Sequence, residues 1–182
     1  MTERVLAQRS DAWIWVLVIA ATCSVIALAV VQGRRPQPQL TGKAAPAVVL
    51  PLLGGGRSAI QAGKVTLVDF WATWCAPCRA SMPRVQKLYT EYKLNGLELY
   101  SVDTDDESSD REPQVREFLL QNGLTFPVVL DDGTAERAFA IASLPTMLLL
   151  DREGKVAWSH IGALSASHEG ELRMALNRAL AR

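Results

Sequence analysis

Residues 65–79 read Val-Thr-Leu-Val-Asp-Phe-Trp-Ala-Thr-Trp-Cys-Ala-Pro-Cys-Arg, and this stretch decides how the chain folds. Its first half is a nearly continuous apolar run, typical of a strand that is covered on both faces. Beyond the cysteines, apolar residues recur at the spacing of one helix face, at Val85, Leu88, Tyr89 and Tyr92. The stretch therefore places Cys75 and Cys78 where a strand passes into a helix.

The C-x-x-C spacing of these two cysteines indicates thiol chemistry. We expect Cys75 at the helix N-terminus, where unpaired N–H groups and the helix dipole stabilise the thiolate, the attacking form of a cysteine. Cys78, about one helical turn later, can reach back to resolve a mixed disulfide. Trp74 before the pair and Pro77 within it are expected to keep the dithiol accessible.

Other uses of a cysteine pair fit this sequence less well. A zinc site needs four ligands; the chain has no second cysteine pair, and its histidines, His160 and His168, lie far away in sequence. Haem attachment needs a histidine directly after the second cysteine, where this chain has Arg79. A buried structural disulfide stays open, although this placement is more often redox-active. We therefore predict no metal.

The rest of the chain from residue 47 alternates between strand and helix patterns, which favours a three-layer α/β domain with a mixed sheet. An acidic loop is expected at 103–110, and Ser167 is a candidate N-cap for the last helix. The predicted strands are 48–53, 65–71, 97–102, 127–130, 146–150 and 156–161, and the helices after Cys75 centre on 115–119, 134–141 and 172–180.

The composition of the whole chain excludes two classes of protein. Its 182 residues are 49% hydrophobic and carry no net charge, which is unlike a disordered chain or a nucleic-acid-binding protein. The apolar excess lies in the uncharged run 13–31, long enough to cross a bilayer. A cleaved signal peptide is the alternative, since Ala27-Leu28-Ala29 resembles a cleavage site. Cys23 lies within this run and is expected to be inert.

These patterns divide the chain into four segments. Residues 1–12 are expected to form an N-terminal tail, 13–31 a transmembrane helix, and 32–46 a proline-containing spacer. Residues 47–182 are expected to form the folded domain. The basic residues on the two sides of the helix do not decide its orientation.

The segment from Phe70 to Arg79 resembles the active site of the thioredoxin superfamily, and more closely that of the TlpA/ResA-like membrane-anchored thiol-disulfide oxidoreductases. Pro83 resembles the family's proline within the helix after the cysteines. Residues 143–146, Ser-Leu-Pro-Thr, resemble the family's cis-proline loop. Gly162 and the helix and strand near residues 115–130 also match, so the resemblance covers roughly residues 44–182.

This resemblance implies roles for particular residues. It implies a thioredoxin-like fold with a central helix-strand insertion, a redox-active Cys75–Cys78 disulfide, and a cis Pro145 facing the dithiol. Asp69 is an ionisable residue within an apolar strand, so burial should raise its pKa. The resemblance implies that it acts as general acid/base for Cys78, and it also places an acidic residue of the 103–110 loop near the dithiol. Substrate contacts are expected at Trp71, Trp74, Pro77, Leu144 and Thr146.

The resemblance also implies partners and a location. Expected partners are proteins bearing disulfides and an upstream membrane thiol donor, with no bound cofactor. The expected location is the bacterial cytoplasmic membrane, with the domain on the periplasmic side, in cytochrome c maturation or copper-oxidase assembly. A periplasmic thiol oxidase stays open, because redox potential decides direction. A copper-binding chaperone is a second alternative, although its cysteines are usually spaced more widely.

Overall fold

The computed structural model describes residues 13–24, 41–60 and 62–181. The chain divides between Gln39 and Leu40 into two units. In the first unit, residues 13–24 are helical (α1), their side chains are exposed, and Cys23 is a free thiol. Among the described residues no helix has the length and apolar character that a membrane crossing needs. The rest of the predicted span, 25–31, lies outside the described residues.

The second unit contains seven strands and four α-helices among its described residues. Their bounds are β1 Val48–Pro51, β2 Arg57–Ile60, β3 Val65–Trp71, α2 Ala76–Tyr92, β4 Leu97–Asp103, α3 Arg111–Gln121, β5 Val128–Leu130, α4 Thr134–Ala138, β6 Thr146–Leu150, β7 Val156–Ile161 and α5 Ala166–Leu180.

The central sheet has five strands in the order β5-β4-β3-β6-β7. β3 pairs in parallel with β4, and β4 in parallel with β5, whereas β6 runs antiparallel to both β3 and β7. All seven residues of β3 are buried, because β3 has a strand on each side and a packed layer on each face. The mixed sheet expected from the sequence is therefore confirmed.

The side chains of β3 alternate between two hydrophobic cores. Leu67 and Trp71 belong to the core that includes buried residues of α2, α3 and α5, together with both redox cysteines. Val68 and Phe70 belong to the other core, under α4 and the β1–β2 hairpin, where Phe70 meets Phe139 edge-on. Helices therefore cover the sheet on both faces, which is the three-layer arrangement.

Both outer strands of the sheet form backbone hydrogen bonds with residues that precede β3 in sequence. The backbone N–H of Leu53 donates to the carbonyl of Val128 in β5. On the opposite edge, Gly42 and Lys43 exchange two backbone hydrogen bonds with Val156 of β7. Residues 41–46 of the predicted spacer consequently belong to the folded unit, because these backbone bonds attach them to the sheet.

The structure corrects four details of the sequence-based prediction. β2 was not expected, because it begins with two polar residues, Arg57 and Ser58, and shows no strand-like alternation; only Ile60 of its four residues is buried. The N-cap of α5 is Ser165, whose hydroxyl accepts from the N–H of His168, and not Ser167. Asp103 is the last residue of β4 and not part of a solvated loop. α4 ends at Ala138, before Ala140 takes a positive φ of 51°.

Candidate active site

The dithiol lies where the sequence placed it, at the start of α2. Cys75 is the N-cap of this helix, and its sulfur accepts a hydrogen bond of 3.2 Å from the N–H of Cys78. The two cysteines are joined as a disulfide. Pro77 lies in the first turn, where its missing N–H costs no helical hydrogen bond. A thiolate on Cys75 would receive the same N–H donation.

A cavity of about 440 Å³ opens at Cys75. Its lining includes Trp74, Ala76 and Pro77 from the dithiol segment and residues 141–144 from the loop before Pro145. Trp74 is 71% exposed, which is unusual for a tryptophan and leaves its ring available to a partner. Three of the residues predicted to contact substrate, Trp74, Pro77 and Leu144, therefore line one cavity beside the attacking sulfur. A cavity of similar volume between β7 and α5 contains neither cysteine.

The loop opposite the dithiol is held by its backbone. The peptide bond between Leu144 and Pro145 is cis, as expected, and Pro145 is buried. Its carbonyl accepts a 2.8 Å hydrogen bond from the N–H of Gly162, which follows β7. Thr146 was predicted to contact substrate, but its side chain is buried and its hydroxyl donates to the Ser143 carbonyl. Thr146 therefore stabilises the loop from behind.

Ser81 connects the dithiol helix to the chain beyond β7, and the sequence analysis did not identify it. Its hydroxyl donates to the carbonyl of Pro77 at 3.0 Å and accepts from the N–H of Leu164 at 2.9 Å. The side chain is almost fully buried. Ser81 thus positions the first turn of α2 against the segment that also holds Pro145. A single serine near a C-x-x-C pair carries no sequence signal for this role.

Asp69 is buried on the dithiol side of the sheet. It is 2% exposed and lies between Leu67 and Trp71, which share a hydrophobic core with both cysteines. Because side chains alternate along a strand, Asp69 points to the same face as these neighbours. Burial raises the pKa of Asp69 from 3.8 to about 7. A carboxyl group with this pKa can both accept and donate a proton near neutral pH.

The strands on either side of Asp69 supply no opposite charge. Ser101 of β4 and Met147 of β6 are its register partners. No lysine of β4 or β6 is in register with Asp69. Desolvation therefore acts on this carboxyl without an ion pair to offset it.

Trp71 corrects one expectation about the substrate surface. We expected its ring to contact substrate, but Trp71 is fully buried and packs against Phe118 of α3, with 5.4 Å between ring centroids. The guanidinium group of Arg79 lies over the Phe118 ring, 5.7 Å from the ring centroid. The exposed tryptophan of the site is Trp74 alone among the described residues.

An acidic pair supports the loop in front of Cys75. The Asp105 carboxylate accepts from the N–H of Thr73 at 3.1 and 3.2 Å. Behind it, Asp103 forms a buried ion pair with Arg111, with Nε 2.8 Å from Oδ2. Burial and the nearby Asp105 raise the pKa of Asp103 to about 7, although Arg111 acts in the opposite direction. Of the acidic residues at 103–110, Asp105 is thus the one bonded to the dithiol loop.

The two histidines lie together, away from the dithiol cavity. His160 and His168 have ring centroids 4.0 Å apart, and His160 also stacks on Trp158. Within the described ranges, no three or more histidine, cysteine, aspartate or glutamate side chains gather as metal ligands. The residues of the site are those of thiol chemistry.

Comparison with known proteins agrees with this geometry. Residues 40–176 match the Redoxin family. The chain is 34% identical over 152 residues to thiol-disulfide oxidoreductase ResA of Bacillus cereus, covering 81% of this chain and 86% of ResA. It is 38% identical over 127 residues to the thioredoxin-like protein YneN of Bacillus subtilis, covering 68% and 73%.

A solved structure shares both the fold and the chemistry. The thioredoxin domain of a thiol-disulfide oxidoreductase from Bacteroides vulgatus superposes with a TM-score of 0.65 at 26% identity, over 75% of this chain and 98% of that domain. In this chain the mixed sheet carries the dithiol helix, which follows β3, and the cis-proline loop, which precedes β6. With the Cys75–Cys78 disulfide at the start of that helix, the chain belongs to the Redoxin family, as a ResA-like thiol-disulfide oxidoreductase of the thioredoxin superfamily.

Proposed function

We propose that this oxidoreductase works as a reductant of protein disulfides on the outer side of the bacterial cytoplasmic membrane. The observation that supports this most is the position of Cys75, which caps α2 and lines an open cavity beside the cis-proline loop. Cys75 is only 4% exposed, so a substrate disulfide would reach the attacking sulfur through the cavity that Cys75 lines. Cys78 does not line that cavity, which suits a resolving cysteine.

The reaction transfers two electrons from the enzyme to the substrate. The Cys75 thiolate attacks one sulfur of the substrate disulfide and forms a mixed disulfide with it, and the other substrate sulfur leaves as a thiolate that takes a proton from water. Asp69 then accepts the proton of Cys78, whose thiolate attacks the Cys75 sulfur and expels the second substrate thiol. The products are a substrate dithiol and the Cys75–Cys78 disulfide. An upstream membrane thiol donor would reduce this disulfide again.

The location in this proposal rests on residues 13–31. This uncharged run with tryptophans at its start is long enough to anchor the domain to a bilayer. With the N-terminus in the cytoplasm, the domain would work on the periplasmic side, in cytochrome c maturation or copper-oxidase assembly as the resemblance implies. A periplasmic reporter fused after the last residue tests the orientation, and an inactive reporter would overturn it.

Insulin reduction and substrate trapping test the activity. The reduced chain should precipitate insulin by reducing its disulfides, and Cys78→Ser should hold substrates as mixed disulfides on Cys75. Cys75→Ser is the matched control, since it keeps Cys78 of the pair but lacks the attacking cysteine. If the wild type leaves insulin intact and Cys78→Ser traps no partner, the reductant role is wrong.

A further inference from the structure

Glu136 gives the substrate cavity a charge that the chemistry of the dithiol does not require. Among the described residues that line the cavity with Cys75, Glu136 is the only one with a charged side chain. Trp74, Ile141 and Leu144 form the apolar part of the wall. A partner that enters the cavity to reach Cys75 therefore meets apolar surface and one carboxylate.

The position of Glu136 is held firmly by its backbone. The carboxylate of Asp131 accepts from the N–H groups of Ala135 and Glu136, at 2.8 and 2.9 Å, and so fixes the start of α4. The carbonyl of Glu136 accepts from the N–H of Ile141 at 2.9 Å. The side chain of Glu136 thus projects from a fixed point on the wall.

The carboxylate of Glu136 has no hydrogen-bond or ion-pair partner among the described residues. It is half-buried, and burial raises its pKa, with the nearby Asp131 acting in the same direction. Arg111 and Arg137 oppose this effect more weakly. A partly desolvated carboxylate without a partner gains most from a cation supplied by a ligand.

Charges of both signs lie near the cavity, because Arg111 and Arg137 act on Glu136 and Asp105 adds a second carboxylate. Asp105 lies beside the cavity residue Thr104 and is bonded to the dithiol loop at Thr73. Arg79, the first cation of the dithiol helix, lies over Phe118 and is not among the residues that line the cavity. Lysine and arginine side chains combine an apolar stem with a charged head, which matches apolar walls around one carboxylate.

We propose that Glu136 selects substrate segments that carry a lysine or arginine within about two residues of the cysteine attacked by Cys75. The stem of the basic side chain lies against Trp74 and Leu144, and its head pairs with the Glu136 carboxylate. This inference rests on the reductant role proposed above and adds the charge of the substrate to it. It makes Glu136 a specificity residue that takes no part in the transfer of electrons.

Single-turnover rates with peptides of defined charge test the proposal. The full chain in detergent is reduced, freed of reductant, and mixed with short peptides whose single cysteine forms a mixed disulfide with 2-mercaptoethanol. The residue beside the cysteine is lysine, glutamine or glutamate. Alkylation and mass spectrometry then follow oxidation of the enzyme. We expect the wild type to react about threefold faster with the lysine peptide than with the glutamine peptide, and about threefold faster with the glutamine peptide than with the glutamate peptide. The lysine and glutamate rates should then differ roughly tenfold.

Substitutions at Glu136 separate charge from shape. In Glu136→Gln the ratio of lysine to glutamate rates should fall to about one, and in Glu136→Lys it should invert. Glu112→Gln, which removes an exposed carboxylate of α3 outside the cavity, is the matched control and should keep the wild-type ratio. Raising the salt concentration should shrink the ratio in the wild type, because salt screens a half-exposed pair.

The neutral bis(2-hydroxyethyl) disulfide distinguishes a failure of this inference from a failure of the reductant role. If wild type and variants oxidise equally fast with this small disulfide, the thiol chemistry is intact in all of them. A wild type that then shows no charge preference, or a Glu136→Gln variant that keeps the preference, overturns the inference alone. A wild type that reacts with no disulfide faster than a free thiol overturns the reductant role.

Discussion

Replacing Asp69 with asparagine should stabilise the folded protein at high pH, and the size of the gain follows from the burial of this carboxyl. Asp69 is 2% exposed, and its pKa is raised from 3.8 to about 7 by desolvation. The folded state therefore holds the Asp69 proton more tightly than the unfolded state does. The contribution of Asp69 to the free energy of unfolding is therefore fully present below about pH 4. It is lost as the pH rises, until the carboxyl is ionised in both states above about pH 7.

The magnitude comes from the difference between the two pKa values. At about 1.36 kcal/mol for each unit of pKa, the ionised Asp69 costs the folded state at most about 4 kcal/mol at pH 8. At pH 5 the same relation gives a cost of under about 2 kcal/mol. Asparagine has a similar shape and no charge, so Asp69→Asn should remove this cost. Its advantage over the wild type should therefore grow by about 3 kcal/mol between pH 5 and pH 8.

Denaturant unfolding of the oxidised protein at both pH values measures this advantage. Other groups titrate in the wild type and in Asp69→Asn alike, so their contributions cancel in the difference. Asp106→Asn, an exposed carboxylate of the loop after β4, is the matched control and should show no such change with pH. If the advantage of Asp69→Asn were the same at pH 5 and pH 8, the folded state would not raise the pKa of Asp69, and the reasoning from desolvation would be refuted.

Three further substitutions test contacts around the site, each by denaturant unfolding at pH 7. Arg111→Met leaves Asp103 buried without its partner and should cost about 3–5 kcal/mol, and adding Asp103→Asn should recover part of that loss; no recovery would refute the pairing. Ser81→Ala leaves the N–H of Leu164 without its acceptor and should cost about 1–3 kcal/mol, whereas a neutral result would remove Ser81 as a connection. Gly162→Ala should lower the free energy of unfolding by about 1–3 kcal/mol, because the φ of 103° at Gly162 is strained for any residue with a Cβ. Gly170→Ala, within α5, is the control and should be tolerated, because its Cβ would meet no atom within 4 Å.

The parts of the fold that follow from local pattern were predictable. The apolar run of β3 and the helical spacing after the cysteines are local signals, and they placed the dithiol at the start of α2. β6 and β7 were also bounded correctly, because the polar turn at 151–154 separates two apolar runs. An element whose pattern is strong within a few residues can be predicted without knowledge of the rest of the chain.

The parts that depend on distant contacts were not predictable. Asp103 was expected in a solvated loop, because the buried Arg111 that pairs with it comes eight positions later on another element. Ser81 and Leu164 are 83 positions apart, and no pattern joins them. The family resemblance implied that Thr146 and Trp71 contact substrate, yet each side chain is buried. Which way a side chain points at the end of a strand depends on packing across the sheet.

The pairing of both outer strands has a consequence for self-association. An open β-edge is a template on which a second copy of a protein can add a strand, and such addition leads to aggregates. Here the chain at 41–46 occupies part of the β7 edge and Leu53 occupies part of the β5 edge. Residues 41–53 therefore guard both edges, because they block the addition of a strand from a second copy. A soluble fragment that begins at Leu40 retains this guard. A fragment that begins at residue 54 would keep the whole dithiol site and yet expose both edges, so we expect it to aggregate as it is concentrated.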